Sequence, residues 1–202
     1  MAGIFRTAVL SVGLATCAVA QKHELALTVG SVLSQDRGAI TNAINLGSGI
    51  ALQVNYAHQI VKGNRYASLY GDVQFMANPQ RVVASTVTAA IRDLASLYVV
   101  PGVKVKFVPE GRVSPWFSIG AGYSLYEHSA NLLNGLVSPV PRHLNRGTIG
   151  YGGGLDWKAW RNVSLRLEAR DFYSGGVAYN VTGTGGGQHN QVAGGGIVLR
   201  FK

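Results

Sequence analysis

The sequence predicts an all-β protein, an eight-stranded antiparallel up-and-down transmembrane β-barrel, and three observations support this prediction. Apolar and polar residues alternate with a period of two through eight segments, and each segment has about the ten residues that a membrane-crossing strand needs. The chain is 47% hydrophobic but only 13% charged, about half the charge content of a typical soluble domain. The connections between the segments alternate between long and short.

The clearest pair of strands lies within 97–125, on either side of a Pro-Glu-Gly-Arg turn. Val103 and Val105 share one face of the first strand, and Lys104 and Lys106 share the other. The alternation resumes after the turn and continues to the end of the segment. Two alternating runs of this length around a tight turn are typical of a strand hairpin and exclude an amphipathic helix.

Six further segments with the same alternation complete the predicted barrel. They lie at 22–33, 49–59, 66–76, 147–157, 163–173 and 190–201. If the N-terminus faces the periplasm, every short connection falls on the periplasmic side and every long connection falls outside. This asymmetry is typical of bacterial outer-membrane barrels. A soluble β-sandwich shows the same alternation but has no reason to sort its loops in this way.

The first twenty residues are predicted to be a secretory signal peptide, which leaves 21–202 as the outer-membrane barrel domain. A single positive residue, Arg6, precedes an apolar run, and a small-x-small cleavage pattern ends at Ala20. We therefore expect cleavage between Ala20 and Gln21. The only cysteine, Cys17, lies within this segment, so lipoprotein processing at Cys17 is the competing interpretation.

The charged face of each strand is predicted to point into the barrel. Eight strands enclose an interior that side chains can fill, and a buried charge needs an opposite charge beside it. Acidic and basic residues nearly balance on this face, which favours a luminal charge network over an open pore. Its predicted members are Glu24, Asp72, Lys104, Lys106, Asp156, Arg166, Glu168, Arg170 and Arg200. The alternative is the solvated outer face of a soluble sheet.

Aromatic residues cluster near the predicted strand ends, as they do in the two girdles that flank the lipid-facing band of a membrane barrel. One group lies toward the short turns and the other toward the long loops. The first comprises Tyr56, Trp116, Phe117, Trp157, Trp160 and Phe201, and the second comprises Phe75, Tyr123, Tyr126, Phe172 and Tyr173. Ordinary core packing would explain each ring singly but not this placement.

The chain resembles the outer-membrane β-barrel domain family, and it is similar to small eight-stranded members such as the barrel domain of outer-membrane protein A. The resemblance is carried by V-V-P-G-V-K-V-K-F and P-W-F-S-I-G-A-G-Y, by L-R-L-E-A-R-D-F-Y, and by the closing G-G-G-I-V-L-R-F. It implies that the barrel-assembly machinery recognises the C-terminal strand through Phe201. Lys202 follows Phe201 and departs from the family's terminal aromatic residue.

Three functions fit this sequence. We expect a monomeric, non-enzymatic protein of the outer membrane, in contact with its lipids and lipopolysaccharide, with a structural or adhesin-like role for its long loops. A lipid hydrolase would use His128 and Ser129, although neighbours in a strand point to opposite faces. A soluble periplasmic β-barrel that binds an apolar ligand is the third.

Nucleic acid, metals and cofactors are not expected as partners. The net charge of +9 comes from Lys and Arg residues scattered along the chain, without the basic cluster that nucleic-acid binding needs. The loop histidines His143 and His189 have no metal-ligand spacing around them.

Overall fold

The computed structural model describes residues 22–34, 43–63, 65–177, 179–181 and 186–202. The predicted signal peptide, its cleavage site at Ala20 and Gln21, and Cys17 lie outside the described residues. Across the described ranges, no helix is long and apolar enough to cross a membrane. The strands are β1 (His23–Ser34), β2 (Ile44–Leu46), β3 (Gly49–Val61), β4 (Ala67–Ser85), β5 (Asp93–Phe107), β6 (Val113–His128), β7 (His143–Lys158), β8 (Val163–Ser174) and β9 (Gln188–Phe201).

Eight of the strands in the described residues form a closed antiparallel barrel, and they follow one another around the wall in chain order. The short β2 stands apart from this wall, and among the described residues its one strand partner is the end of β4. The barrel closes where β1 pairs with β9, in an uninterrupted register from His23↔Phe201 to Ser34↔Asn190. Closure gives each edge strand a hydrogen-bonding partner, which a sheet in hydrocarbon requires. The predicted eight-stranded up-and-down barrel is confirmed.

The wall has apolar side chains outside and charged side chains inside, the reverse of a soluble protein. Val103, Leu165 and Leu199 are 44%, 46% and 38% exposed, whereas Lys104 and Arg166 are 0% and 1% exposed. These residues alternate along their strands, because successive side chains of a strand point to opposite faces. The strand faces therefore have the orientation that the sequence predicts.

The barrel has two different ends. We call the end with the short connections the turn end, and the end with the long connections the loop end. At the loop end, β4 and β5 pair as far as Val82↔Asp93, and β6 and β7 pair as far as Glu127↔His143. These hairpins extend into 77–96 and 127–146, which the alternation predicts to be long connections between strands. A register shift between Asn78 and Arg81, around Pro79, interrupts the alternation and hides the strand in the sequence.

The loop end of the interior is filled by an apolar cluster. The cluster includes Val32, Ala51, Met76, Tyr98, Val100, Tyr126, Phe172 and Val192 from the barrel wall. Further members come from outside the wall, among them Ile44 and Leu46 of β2, and Leu132, which forms an isolated bridge with Ile91. Segments of the long connections therefore fold inward and pack over the barrel interior.

Closure between β1 and β9 can be tested by cross-linking in a Cys17→Ser background. Leu27 and Leu165 are both in register with Ile197, from opposite neighbouring strands. The pair Leu27→Cys with Ile197→Cys should form a disulfide on mild oxidation, detected as a linked peptide by mass spectrometry. The pair Leu27→Cys with Leu165→Cys is the control, because two strand spacings of about 9–10 Å exceed the reach of a disulfide. Equal linkage in both pairs would contradict the observed closure.

Candidate functional site

Glu24 of β1 is the centre of a cluster of charges at the turn end of the interior. Its Oε2 lies 2.9 Å from Nζ of Lys104, and its Oε1 lies 2.5 Å from Nζ of Lys106. Nε of Arg200 lies 3.3 Å from the same Oε1, without hydrogen-bond geometry. All four side chains are buried. One carboxylate therefore neutralises cations from two different strands, β5 and β9.

Asp156 of β7 is the second acidic member of this cluster. Its carboxylate accepts two hydrogen bonds from Arg166, at 2.7 Å from Nε and 3.0 Å from Nη2, and lies 2.5 Å from Nζ of Lys106. Paired hydrogen bonds of this kind fix the relative orientation of guanidinium and carboxylate. Lys106 thus bridges Asp156 and Glu24, and ties β5, β7 and β1 together across the interior.

A second group of predicted luminal residues lies further toward the loop end. Nε of Arg170 is 3.1 Å from Oε2 of Glu168, whose other oxygen accepts hydrogen bonds from Thr28 at 2.6 Å and Gln53 at 2.8 Å. Asp72 differs from the other predicted members. Within the described part of the chain it has no cation at ion-pair distance, and it accepts hydrogen bonds from the amides of Asn55 and Gln74 instead.

Trp116 is inside the barrel, so its predicted place in an aromatic girdle is wrong. The side chain is 3% exposed, and the guanidinium carbons of Arg166 and Arg170 each lie 4.6 Å from its ring. Gly154 provides the space, since a Cβ there would lie 2.8 Å from Cζ2 of Trp116. Trp116 does lie close to a turn, but the alternation along β6 places it on the same inner face as Ser118.

The same correction applies to Tyr126 and Phe172, which are fully buried members of the apolar cluster at the loop end. The remaining predicted girdle residues have exposed side chains: Tyr56, Phe75, Phe117, Tyr123, Trp157, Trp160, Tyr173 and Phe201. Trp160 lies in a short turn, Tyr173 and Phe201 lie at strand ends, and Phe75 lies close to the middle of β4. Their location at the two membrane interfaces stays a prediction.

His128 and Ser129 do not form a hydrogen bond with each other. Nδ1 of His128 lies 2.8 Å from the carbonyl oxygen of Pro141. Oγ of Ser129 donates to the carbonyl of Asn131 at 2.7 Å and accepts from the backbone N–H of Arg92 at 2.9 Å. A hydrolytic serine needs a base in contact with its hydroxyl. Here the hydroxyl contacts backbone atoms of Arg92 and Asn131, and the imidazole contacts the backbone of Pro141.

Burial lowers the pKa of His128, although its contact with the Pro141 carbonyl opposes this change. The neutral imidazole is therefore the stable form at neutral pH. On the outer surface nearby, Arg142 donates two hydrogen bonds to Oε1 of Glu127, at 2.8 and 2.9 Å, and lowers the pKa of that carboxyl. Among the residues that the structure describes, no group of three or more His, Cys, Asp or Glu side chains could hold a metal ion.

One ionisable group on the outer wall was missed by the sequence analysis. Asp171 of β8 accepts a hydrogen bond from the Tyr151 hydroxyl at 2.8 Å and lies 2.6 Å from Nδ1 of His189. The signal was present in the alternation, because Asp171 shares the apolar face with Leu165 and Leu167. A charge on that face of a membrane strand is unusual.

No protein-family model and no curated protein matches the sequence. Solved structures do match it. Neisserial surface protein A aligns with a TM-score of 0.54 at 13% identity, over 89% of this chain and 96% of that one. The outer membrane protein OprG from Pseudomonas aeruginosa aligns with a TM-score of 0.57 at 10% identity, over 89% and 96% of the two chains.

The chain has the fold of the small eight-stranded outer-membrane β-barrels. A third member of this group, the outer membrane protein AlkL in DMPC lipid bilayers, aligns with a TM-score of 0.54 at 11% identity over 94% of each chain. At these identities the similarity concerns the fold.

Removing the charge of Glu24 should destabilise the barrel strongly. Glu24→Gln keeps the shape of the side chain but leaves Lys104, Lys106 and Arg200 without their shared carboxylate. We expect a loss of about 3–5 kcal/mol in the free energy of unfolding, the usual cost of breaking a buried ion pair. Urea unfolding in detergent micelles, followed by tryptophan fluorescence, measures it. Glu110→Gln in an exposed short turn is the control, and an equal midpoint for both variants would rule out the role assigned to Glu24.

The order of the loop at 129–142 should depend on pH through His128. Its pKa is lowered in the folded protein, so protonation favours the open loop, and stability falls as the pH drops below about 6.5. Hydrogen exchange of the loop amides, corrected for intrinsic rates, should speed up between pH 7.5 and 5.5. His128→Gln should remove this dependence, whereas His143→Gln, which deletes an exposed imidazole, should retain it. A pH dependence that survives in His128→Gln would refute the assignment.

Proposed function

We propose that this protein is a monomeric, non-enzymatic protein of the bacterial outer membrane with a structural or adhesin-like role. One observation supports the membrane location above all. The outer wall carries exposed aliphatic residues on every barrel strand, while all nine predicted luminal charges are buried inside. A soluble protein with this wall would expose far more than the few hundred Å² of contiguous apolar surface usual for a monomer.

The proposed orientation places the turn end in the periplasm and the loop end outside the cell. Export would proceed through the predicted signal peptide, and the barrel-assembly machinery would act on β9. Phe201 is the aromatic residue of β9 expected to take part in that step, and its ring faces outward and stacks on His23 with centroids 5.5 Å apart. The outer membrane's lipids and lipopolysaccharide are the partners of the wall.

We infer that the lumen is closed by its own side chains. Two layers support this: the charged cluster around Glu24 and Asp156 at the turn end, and the apolar cluster at the loop end. Lys104, Lys106 and Asp156 have no exposed surface, nor do Met76 and Tyr98. We therefore expect no ion conductance from the folded protein.

The loop end supports a surface-interaction role. Its connections are joined to one another: Leu133 donates to the carbonyl of Ala90, Asn134 to that of Thr88, and Ile91 to that of Tyr179, at 2.9, 2.9 and 3.2 Å. At the tip of the loop at 129–142, Leu136 and Val137 are 65% and 82% exposed. Aliphatic side chains held outward on an ordered platform favour contact with another surface.

The membrane location can be tested by fractionation and by gel mobility. We expect the mature protein in the outer-membrane fraction, and we expect unheated samples to migrate differently from boiled samples, because a closed barrel resists detergent unfolding. Planar bilayers containing the folded protein should show no conductance steps. Recovery in the soluble periplasmic fraction would overturn the proposal and favour a soluble barrel that binds an apolar ligand.

The adhesive role has its own test. Bacteria that display the protein should attach to cultured host cells or to an abiotic surface better than bacteria without it. Leu136→Asp with Val137→Asp should remove most of this gain, because charges replace the exposed aliphatic tip. Ala130→Asp is the control, since it adds charge to the same loop without removing a large aliphatic group. Equal attachment with and without the protein would contradict the adhesive role and leave the structural role as the proposed function.

A further inference from the structure

A carboxylate lies on the face of the barrel wall that should meet lipid. Leu165, Leu167 and Tyr173 mark the outer face of β8, and they are 46%, 68% and 40% exposed. Asp171 belongs to the same face but is only 8% exposed. Ionisable residues on a lipid-facing strand are costly, and within a membrane segment they mark functional sites by default. The position of Asp171 on this face therefore calls for a functional explanation.

The contacts of Asp171 leave one of its oxygens unused. Oδ2 accepts the Tyr151 hydroxyl and faces Nδ1 of His189, whose ring lies against Tyr173 with centroids 4.7 Å apart. Oδ1 is buried and has no hydrogen-bond partner among the described residues. A buried carboxylate oxygen without a donor costs free energy. The described part of the chain supplies no hydrogen-bond donor to this oxygen.

A groove of small residues runs across the wall beside this carboxylate. Gly153 of β7, Ala169 of β8, Ala193 of β9 and Ser31 of β1 are in register with one another, one strand after the next. On the loop-end side of this row, the register partners are Tyr151, Asp171, Gln191 and Leu33. Ala169 and Ala193 of the small row, together with all four residues of the second row, line a depression of about 370 Å³ in the outer wall.

The depression has an apolar floor and a polar rim. Ala169 and Ala193 form the floor, Leu33 and Tyr151 form the sides, and Asp171 and Gln191 lie at the end nearest the long loops. Such an apolar floor suits a hydrocarbon chain. The free acceptor at the rim is a carboxylate oxygen, so a bound lipid must supply a hydrogen-bond donor there. On such a lipid, the rim corresponds to the depth at which an acyl chain joins its headgroup.

We propose that this groove binds one molecule of lipopolysaccharide, with an acyl chain along Ala169 and Ala193 and an amide N–H donating to Asp171. The inference rests on the proposed outer-membrane location, with the loop end in the outer leaflet. In lipopolysaccharide, amide groups join acyl chains to the sugar and supply a donor at this depth. Glycerophospholipid chains are joined by esters, which supply none. At the depth of the link between acyl chain and headgroup, the unused acceptor therefore favours the first class of lipid.

The test is co-purification followed by native mass spectrometry. The wild-type barrel, extracted in mild detergent from membranes that contain lipopolysaccharide, should retain about one molecule per chain. Ala169→Leu fills the floor and Asp171→Asn removes the acceptor charge, and each should lower retention about tenfold. Ala121→Leu on the outer face of β6 and Glu127→Gln are the matched controls. Both should retain lipopolysaccharide at the wild-type level.

Each outcome has a separate meaning, because folding is checked first by the heat-dependent gel shift. If Ala169→Leu fails to fold, Ala193→Leu provides the same filling from β9. Folded groove variants that retain lipopolysaccharide as well as the wild type would overturn the site. Preferential retention of phosphatidylglycerol in mixed nanodiscs would overturn the choice of ligand. A wild-type protein that never reaches the outer membrane would overturn the proposed location instead.

Discussion

The pairing of buried charge around Glu24 is the interaction on which the barrel interior depends. Glu24 lies on β1, and its partners Lys104 and Lys106 lie on β5, three strands away around the wall. The contact therefore crosses the interior and joins opposite sides of the barrel. Because an unpaired buried charge is so unfavourable, the register of each strand is constrained by whether its charges meet. A slip of one residue would turn Lys104 and Lys106 toward lipid.

The two layers of the interior follow from their surroundings. At the turn end the connections are too short to fold inward, so long Lys and Arg side chains fill the space and bring their own counter-charges. At the loop end, β2 and the loop that carries Leu132 reach over the interior and contribute apolar side chains. The same closed wall thus holds an ionic core and an apolar core. Only the second depends on segments outside the barrel strands.

Alternation along the strands was enough to predict the fold and the luminal charges, because the side of a strand on which a residue lies is a local property. Height along the barrel and contacts across it are not local. Trp116 was assigned by its closeness to a turn, although its neighbours place it inside with Arg166 and Arg170. The extension of β4 beyond Pro79 was hidden by a bulge, and the environment of Asp171 depends on residues from β7 and β9 that only the closed register brings together.

The seam between β1 and β9 has a kinetic consequence. It joins the first and last strands, so its contacts have the largest sequence separation that the barrel allows. Such contacts form late, because a long stretch of chain must lose conformational entropy before the contacts can stabilise it. Until β9 pairs with it, β1 has an unpaired edge, which is a template for pairing with other chains. Late closure of this seam therefore leaves β1 open to pairing with other copies of the protein while the barrel folds.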